Sequence, residues 1–306
     1  EQAMLVQARH YACPTYPYTS YDALWRTPRQ HVGGCLWHAF DHQRGYHPDP
    51  FYGGIMDAFR QPKYAYYMFQ SQRPTEKLER PFTTGPMVYI AHEMTPFSPA
   101  DVTVYSNCDE VRLTYNKNGK LFTYTRPVKK EGMPSPIITF ERVYDFMIDK
   151  YMSMNEHKQH EVFLRAEGLI GGKVATHEVR PARRPEQLLL WADHEGMDLR
   201  ADGSDVMTLV AAVADKQGNI KRLNNQCIRF HIEGEGRIIG NADIGANPTS
   251  VKWGTAPVLI QSTLTPGKIR VTASVAFEGA QTPVSAVLEL ESKPAVHPLI
   301  FDPNEG

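Results

Sequence analysis

The chain has 306 residues, 42% of them hydrophobic and 22% charged, which is ordinary for a folded globular protein and excludes a mainly disordered one. Its formal net charge of −1 gives no bias toward nucleic acid or an anionic membrane surface, and no apolar run approaches the roughly 20 residues of a membrane-spanning helix. The length suits two or three domains.

The opening stretch, "EQAMLVQARHYAC", has no basic region ahead of an apolar core and does not read as a signal peptide. Met4, Leu5, Ala8 and Tyr11 fall at helical spacing. "VGGCLW" predicts a short buried strand over 33–37, followed by a polar loop over 41–50. Pro62 suits the first turn of a helix; Tyr64, Tyr67 and Met68 share one of its faces, and Pro74 follows its end. One strand cannot satisfy its own backbone hydrogen bonds, and about 80 residues of this kind close no core. Residues 1–80 therefore read as the last piece of something larger.

From residue 84 the pattern turns to β. "DVTVYSN" and "EVRLTYNKNGKLFTYT" alternate with period two, the latter about an Asn-Lys-Asn-Gly turn, and "HEVFLRAEGLIGGKVATHEVRP" predicts a hairpin turning at Gly171-Gly172. "FERVYDFMIDKYM" fits either a loop or a short helix. Together these strands predict a sandwich over 81–184. "PARRPEQ" marks a junction. Beyond it "QLLLWADH", "DVMTLVAAVADKQGNI", "QCIRFHIEGEGRIIG", "GKIRVTASVAFEG" and "SAVLELES" predict a second sandwich over 185–306, with a Pro-rich tail lying over a surface.

The chemistry-bearing residues concentrate after the predicted strand. Trp37 stands at its end, and His38, Asp41, His42, Arg44, Tyr46 and His47 crowd the following loop. A tryptophan at a strand end belongs to a core more often than to a site. Its neighbours favour a site, because aromatic faces suit the C–H faces of sugar rings while polar groups suit hydroxyls. The H-x-x-D-H spacing of His38, Asp41 and His42 matches no standard ligand pattern, so no metal is expected, and no other cofactor motif stands out. No G-x-S-x-G elbow occurs, "GEGRIIG" is not a dinucleotide fingerprint, and "HEM" at 92–94 is not H-E-x-x-H. Glu93, Glu110, Glu233 and Glu235 fall in predicted β regions, where solvated faces are the expectation. The four widely spaced cysteines read as free thiols.

The order of these segments resembles glycoside hydrolase family 2, the β-galactosidase family. The matching residues are Gly33-Gly34, Trp37 and Phe40-Asp41-His42, then Gly53-Gly54-Ile55 with Asp57, and Arg60-Gln61-Pro62-Lys63 leading into a helix. "VTVYSNCDEVRLTYN" and "RAEGLIGGKVATHEVR" are similar to the β-sandwich that follows that family's barrel. "LLLWADHEGMDLRADGSDVMTLVAAVADKQGNI" and "IRFHIEGEGRIIG" resemble the additional Ig-like domain of long members.

The resemblance implies a mixed fold class: the last strand and helices of a catalytic (β/α)8 TIM barrel in 1–80, then two immunoglobulin-like β-sandwiches. It also implies a retaining exo-β-glycosidase using two glutamates, at the ends of barrel strands four and seven. No glutamate here fits either position, so both are expected upstream of residue 1, and this chain alone is expected to be inactive. Trp37 would form a wall of the subsite for the cleaved sugar, with Asp41 and His42 matched by motif. A β-galactosidase is the leading expectation, with β-mannosidase and β-glucuronidase as alternatives. The expected partners are a carbohydrate substrate and a companion chain, or preceding segment, carrying the rest of the barrel; the expected location is periplasmic or secreted. The competing reading is a non-catalytic carbohydrate-binding or scaffolding module, for which the α/β character of residues 1–80 would have no use.

Overall fold

A computed structural model describes residues 1–13, 20–28, 30, 32–47, 50–79, 82–116, 120–125, 132–147, 162–279 and 281–295. The chain falls into two compact units, Glu1–Ala182 and Arg183–Gly306. The expected turn residues 117–119 and the tail from 296 onward lie outside the described residues.

The first unit begins with helices α1 (Gln2–Ala12), α2 (Tyr21–Leu24) and α3 (Tyr64–Gln70). The short α2 carries no strong periodic signal; the Ser20 hydroxyl caps it by accepting from the Ala23 amide. There follow β1 (Val88–Ala91), β2 (Val102–Ser106), β3 (Glu110–Tyr115), β4 (Lys120–Thr125), β5 (Ile138–Phe140), β6 (Phe163–Ile170) and β7 (Lys173–Pro181). They form two sheets, ordered β1-β2-β5 and β4-β3-β6-β7. Val88, Ile90, Val102, Val104, Val111, Leu113, Leu164 and Ala166 share the core of this sandwich-like body.

Strand β3 alternates half-buried and buried positions, as a strand with one face on a core must. By contrast, β1 and β2 are buried at every position. Their second face is covered by α3: the Tyr67 and Tyr89 rings stack at 3.6 Å, and Tyr64 meets Tyr89 edge-on at 6.0 Å. The β6–β7 hairpin turns at Gly171 and Gly172, with φ of 56° and 77°. Positive φ at both central residues gives a turn whose twist matches its strands, and glycine adopts it without strain.

The second unit contains β8 (Gln187–Asp193), β9 (Arg200–Ala201), β10 (Val206–Ala214), β11 (Cys227–Gly234), β12 (Gly236–Ile239), β13 (Thr249–Ser250), β14 (Thr255–Ser262), β15 (Gly267–Val275) and β16 (Ala286–Pro294). Its sheets run β12-β14-β10-β8 and β13-β11-β15-β16-β9. Leu209, Ala211 and Val213 from one sheet, with Ile228, Phe230, Ile269 and Val271 from the other, make its core. This is again a sandwich-like all-β arrangement.

The strand expected over 33–37 is absent. Those residues are irregular and exposed, with no ladder beside them among the described residues. Without a neighbouring strand an extended backbone has no ladder to pair its N–H and C=O groups. A second correction concerns Glu93. It was expected on a solvated face, yet it is buried and accepts a hydrogen bond from the Tyr64 hydroxyl at 2.7 Å. The same packing of α3 on β1 that buries both faces of that strand encloses the residues just after it.

Candidate functional site

The loop from Trp37 to Lys63 is built around a buried ion pair. Lys63 Nζ lies 2.7 Å from Asp41 Oδ1, and both side chains are almost fully enclosed. The same carboxylate oxygen accepts the Gly54 amide at 3.0 Å, while Lys63 Nζ also donates to the Tyr52 carbonyl at 3.1 Å. One carboxylate and one ammonium thus bind the two arms of the loop together, each with further hydrogen bonds that offset the cost of desolvation. Backbone bonds continue the clamp: Asp41 N to Met56 O at 3.0 Å, Met56 N to Ala39 O at 3.0 Å, and Phe51 N to His42 O at 2.9 Å.

Helix α1 fixes the loop from beneath. The Gln7 amide donates to the carbonyls of Tyr52 and Gly54 at 3.1 and 2.9 Å, and the Tyr11 hydroxyl donates to that of Gly53. Gly54 is obligatory here, because a Cβ would stand 2.2 Å from the Phe40 carbonyl carbon and 2.3 Å from the Asp41 nitrogen. Asp57 closes the far turn by accepting from the Phe59 and Gln61 amides at 2.8 and 2.9 Å. Burial holds its carboxyl above the ordinary carboxylate value, against those two amides.

On this frame sits an aromatic platform. His38 and His42 stack at 4.7 Å, and His38 meets Phe51 at 4.6 Å. Desolvation, and then the neighbouring His42, lower the His38 pKa from its ordinary value. Trp37 meets His38 edge-on at 5.9 Å but is itself 88% exposed. Of the three residues singled out from the sequence, Trp37 is therefore an open aromatic face. His42 belongs to the ring stack beneath it. Asp41 is bound to Lys63 and Gly54, so it positions the loop. Lys63 appeared in the sequence only as part of the Arg60-Gln61-Pro62-Lys63 pattern, with no sign of a partner. Asp41 and Lys63 lie 22 residues apart, and only their shared membership of the quoted motif pattern linked them.

A second polar cluster lies inside the first unit. Glu1 accepts from the Ser98 hydroxyl at 2.6 Å and the Glu93 amide at 3.1 Å, and burial raises its carboxyl above the ordinary value. His92 Nδ1 accepts from the Met94 amide at 3.1 Å while Nε2 lies 2.8 Å from the Pro99 carbonyl, an arrangement that suits the neutral Nε2–H tautomer. Burial pushes its pKa down to about 4. Arg180 lies 2.6 Å from Glu178 and over the Tyr89 ring. Each of these groups is engaged within the first unit.

Residues 190–282 match glycoside hydrolase family 2 C-terminal domain 5. The chain is 31% identical over 263 residues to a β-galactosidase of Thermoanaerobacter pseudethanolicus, covering 83% of this chain and 33% of that protein. It is 27% identical over 260 residues to a β-galactosidase of Bacteroides ovatus, covering 79% and 27%. In fold it is similar to a β-glucuronidase of glycoside hydrolase family 2, with TM-score 0.65, 22% identity, and 95% and 28% of the two chains covered. A β-glycosidase of Bacteroides vulgatus aligns with TM-score 0.59 and 21% identity over 83% and 30%. The chain belongs to glycoside hydrolase family 2, of which it carries a C-terminal portion. It spans about a third of the length of the curated relatives it matches.

Proposed function

We propose that the chain is the C-terminal part of a retaining exo-β-glycosidase that removes terminal β-linked galactose. The observation that carries this reading is the match to β-galactosidases across most of the chain, with an exposed Trp37 on a loop that is clamped from two sides. In this reading residues 1–80 complete a catalytic barrel whose other strands, and both catalytic glutamates, are encoded upstream of residue 1. Residues 33–37 then pair as the barrel's last strand. Residues 81–184 and 185–306 are immunoglobulin-like sandwiches that support it.

In such an enzyme one carboxylic acid protonates the glycosidic oxygen while a carboxylate about 5–5.5 Å away attacks the anomeric carbon, and water then hydrolyses the glycosyl-enzyme. The contribution of this chain is positional. Trp37 gives the C–H face of the cleaved terminal sugar a wall, His42 backs that wall through His38, and Asp41 fixes the loop through Lys63.

The test is hydrolysis of nitrophenyl β-galactoside by the full-length protein and by residues 1–306 alone. Turnover is expected only from the former. Turnover by residues 1–306 that disappears when one of their own glutamates is replaced would overturn this assignment. A full-length protein inert toward β-galactosides but active on β-mannosides or β-glucuronides would move the substrate while keeping the class.

A further inference from the structure

The Trp37–Lys63 loop holds one charge that its clamp does not use. The Arg44 guanidinium carbon sits 5.4 Å from the Phe51 ring centroid and 5.8 Å from that of Tyr46. Its Nε is buried and makes no hydrogen bond, and among the described residues no carboxylate pairs with it. Asp41, one acidic group of this loop, is already bound to Lys63 and the Gly54 amide. An arginine whose role was to staple the loop would donate to backbone carbonyls, as Lys63 does to Tyr52. Arg44 instead sits against two rings, which give its charge no carboxylate partner among the described residues.

We propose that Trp37, Arg44 and Tyr46 form a subsite for an acidic sugar, in which Arg44 takes a carboxylate or sulfate-ester group on the residue next to the one stacked on Trp37. The inference rests on the glycosidase reading above and names a substrate class for it. The chemistry follows from the inventory of groups. A guanidinium is donor-only and permanently charged, so its partner must offer oxygens and, to compensate it, negative charge. A neutral hydroxyl offers the first without the second, whereas a carboxylate or sulfate accepts two parallel N–H bonds in the plane of the fork. Trp37 at 88% exposure and Tyr46 at 84% supply the apolar faces on which pyranose rings can lie beside that anion.

The test compares three disaccharides with the same β-galactosyl linkage in the full-length protein: one with a neutral reducing sugar, one with a uronate there, and one with a sulfate ester there. An acidic disaccharide is expected to exceed the neutral one in kcat/KM by roughly tenfold, from one charge-assisted contact. That ratio should collapse toward one in Arg44→Gln and partly survive in Arg44→Lys, which keeps the charge but loses the planar fork. It should also shrink in about 0.5 M NaCl, where charges are screened within a few ångströms. Preference for the uronate or for the sulfate identifies the source of the anion, and either supports the proposal. Equal or better turnover of the neutral disaccharide, or a preference that outlasts Arg44→Gln in a variant of unchanged melting temperature, overturns it. Calorimetric binding of methyl β-galacturonide and of methyl β-galactoside 6-sulfate reads the subsite without turnover. If no disaccharide is cleaved yet these ligands bind in an Arg44-dependent way, the β-galactosidase reading fails and the subsite stands. If the neutral disaccharide alone is cleaved and neither ligand binds, the subsite fails and the enzyme reading stands.

Discussion

Strand β10 and the segment 33–37 look alike in sequence and differ completely in structure. Both are short apolar runs, "VMTLVAAVA" and "GGCLW". Strand β10 pairs with β14 on one side and β8 on the other, and Leu209, Val210, Ala211, Val213 and Ala214 are fully buried. Residues 33–37 have no such neighbours among the described residues and lie exposed. A strand is thus as much a property of the surfaces beside it as of its own side chains, which is why strand propensities depend so strongly on context. The loop that follows nevertheless keeps a defined shape, because Asp41, Lys63 and Gly54 hold it from within and α1 holds it from beneath.

That contrast can be broken most forcibly at the clamp. Lys63→Met leaves the Asp41 carboxylate buried without its counter-charge, an arrangement that costs roughly 3–5 kcal/mol. Because the pair joins two arms of one loop, the damage should be local. Amide exchange at Asp41, Gly54 and Met56, whose N–H groups bond within the clamp, should accelerate far more than exchange in β10. Adding Asp41→Leu should recover much of the loss, since the uncompensated charge is then gone. Unchanged exchange at those amides in Lys63→Met would show that α1 alone holds the loop.

In the sandwich the corresponding experiment is Leu209→Ala. A fully buried leucine truncated beneath two neighbouring strands should cost about 2–5 kcal/mol, depending on how far the site collapses. The loss should appear as a lower unfolding midpoint of the second unit, with the Trp37–Lys63 loop's exchange unaffected. Comparable exchange losses in that loop would mean the two regions are energetically coupled.

The difference between these regions also sets how much was legible beforehand. Strand β3 and the hairpin at Gly171-Gly172 could be read directly, because each alternation or turn preference reflects a local constraint. The pairing of Asp41 with Lys63 and of Tyr64 with Glu93 could not, since each joins residues more than 20 positions apart. Glu93 misleads for a further reason. A carboxylate after a β pattern suggests water, and only the packing of α3 on β1 encloses it. Arg44 was legible as a loop cation, but its place between Tyr46 and Phe51 depends on the fold of the whole loop.

Buried His92 supplies a pH-dependent comparison. His92 is neutral in the folded state, with its pKa lowered from 6.5 to about 4 by burial, whereas the unfolded chain binds the proton near the ordinary value. The unfolded state therefore holds more protons between these limits, and stability must fall as pH drops from 6.5 toward 4. The full contribution is on the order of 3 kcal/mol. His92→Gln removes the titration while keeping an acceptor for Met94 and a donor for Pro99. Urea midpoints should be less pH-dependent in this variant than in the parent over that window. Identical slopes would place the titration elsewhere.

Trp37→Ala should have the smallest effect on folding and a large one on catalysis. Its ring is 88% exposed and meets His38 edge-on, so its removal leaves no buried cavity. The change in stability should stay within about 0.5 kcal/mol, the usual range for an exposed substitution. On the proposed β-galactosidase reading, kcat/KM of the full-length protein toward a β-galactoside should nevertheless fall by an equivalent of roughly 2–4 kcal/mol, from lost stacking together with lost positioning of the anomeric carbon. The sugar flattens toward an oxocarbenium ion as the bond breaks, so a rigid wall contributes more in the transition state than in the ground state, and kcat should fall along with affinity. Steady-state kinetics beside thermal unfolding separates this role from an architectural one. If the melting temperature drops by many degrees while the folded fraction turns over normally, the tryptophan is part of the packing of the full-length protein, and the sugar is bound by other residues.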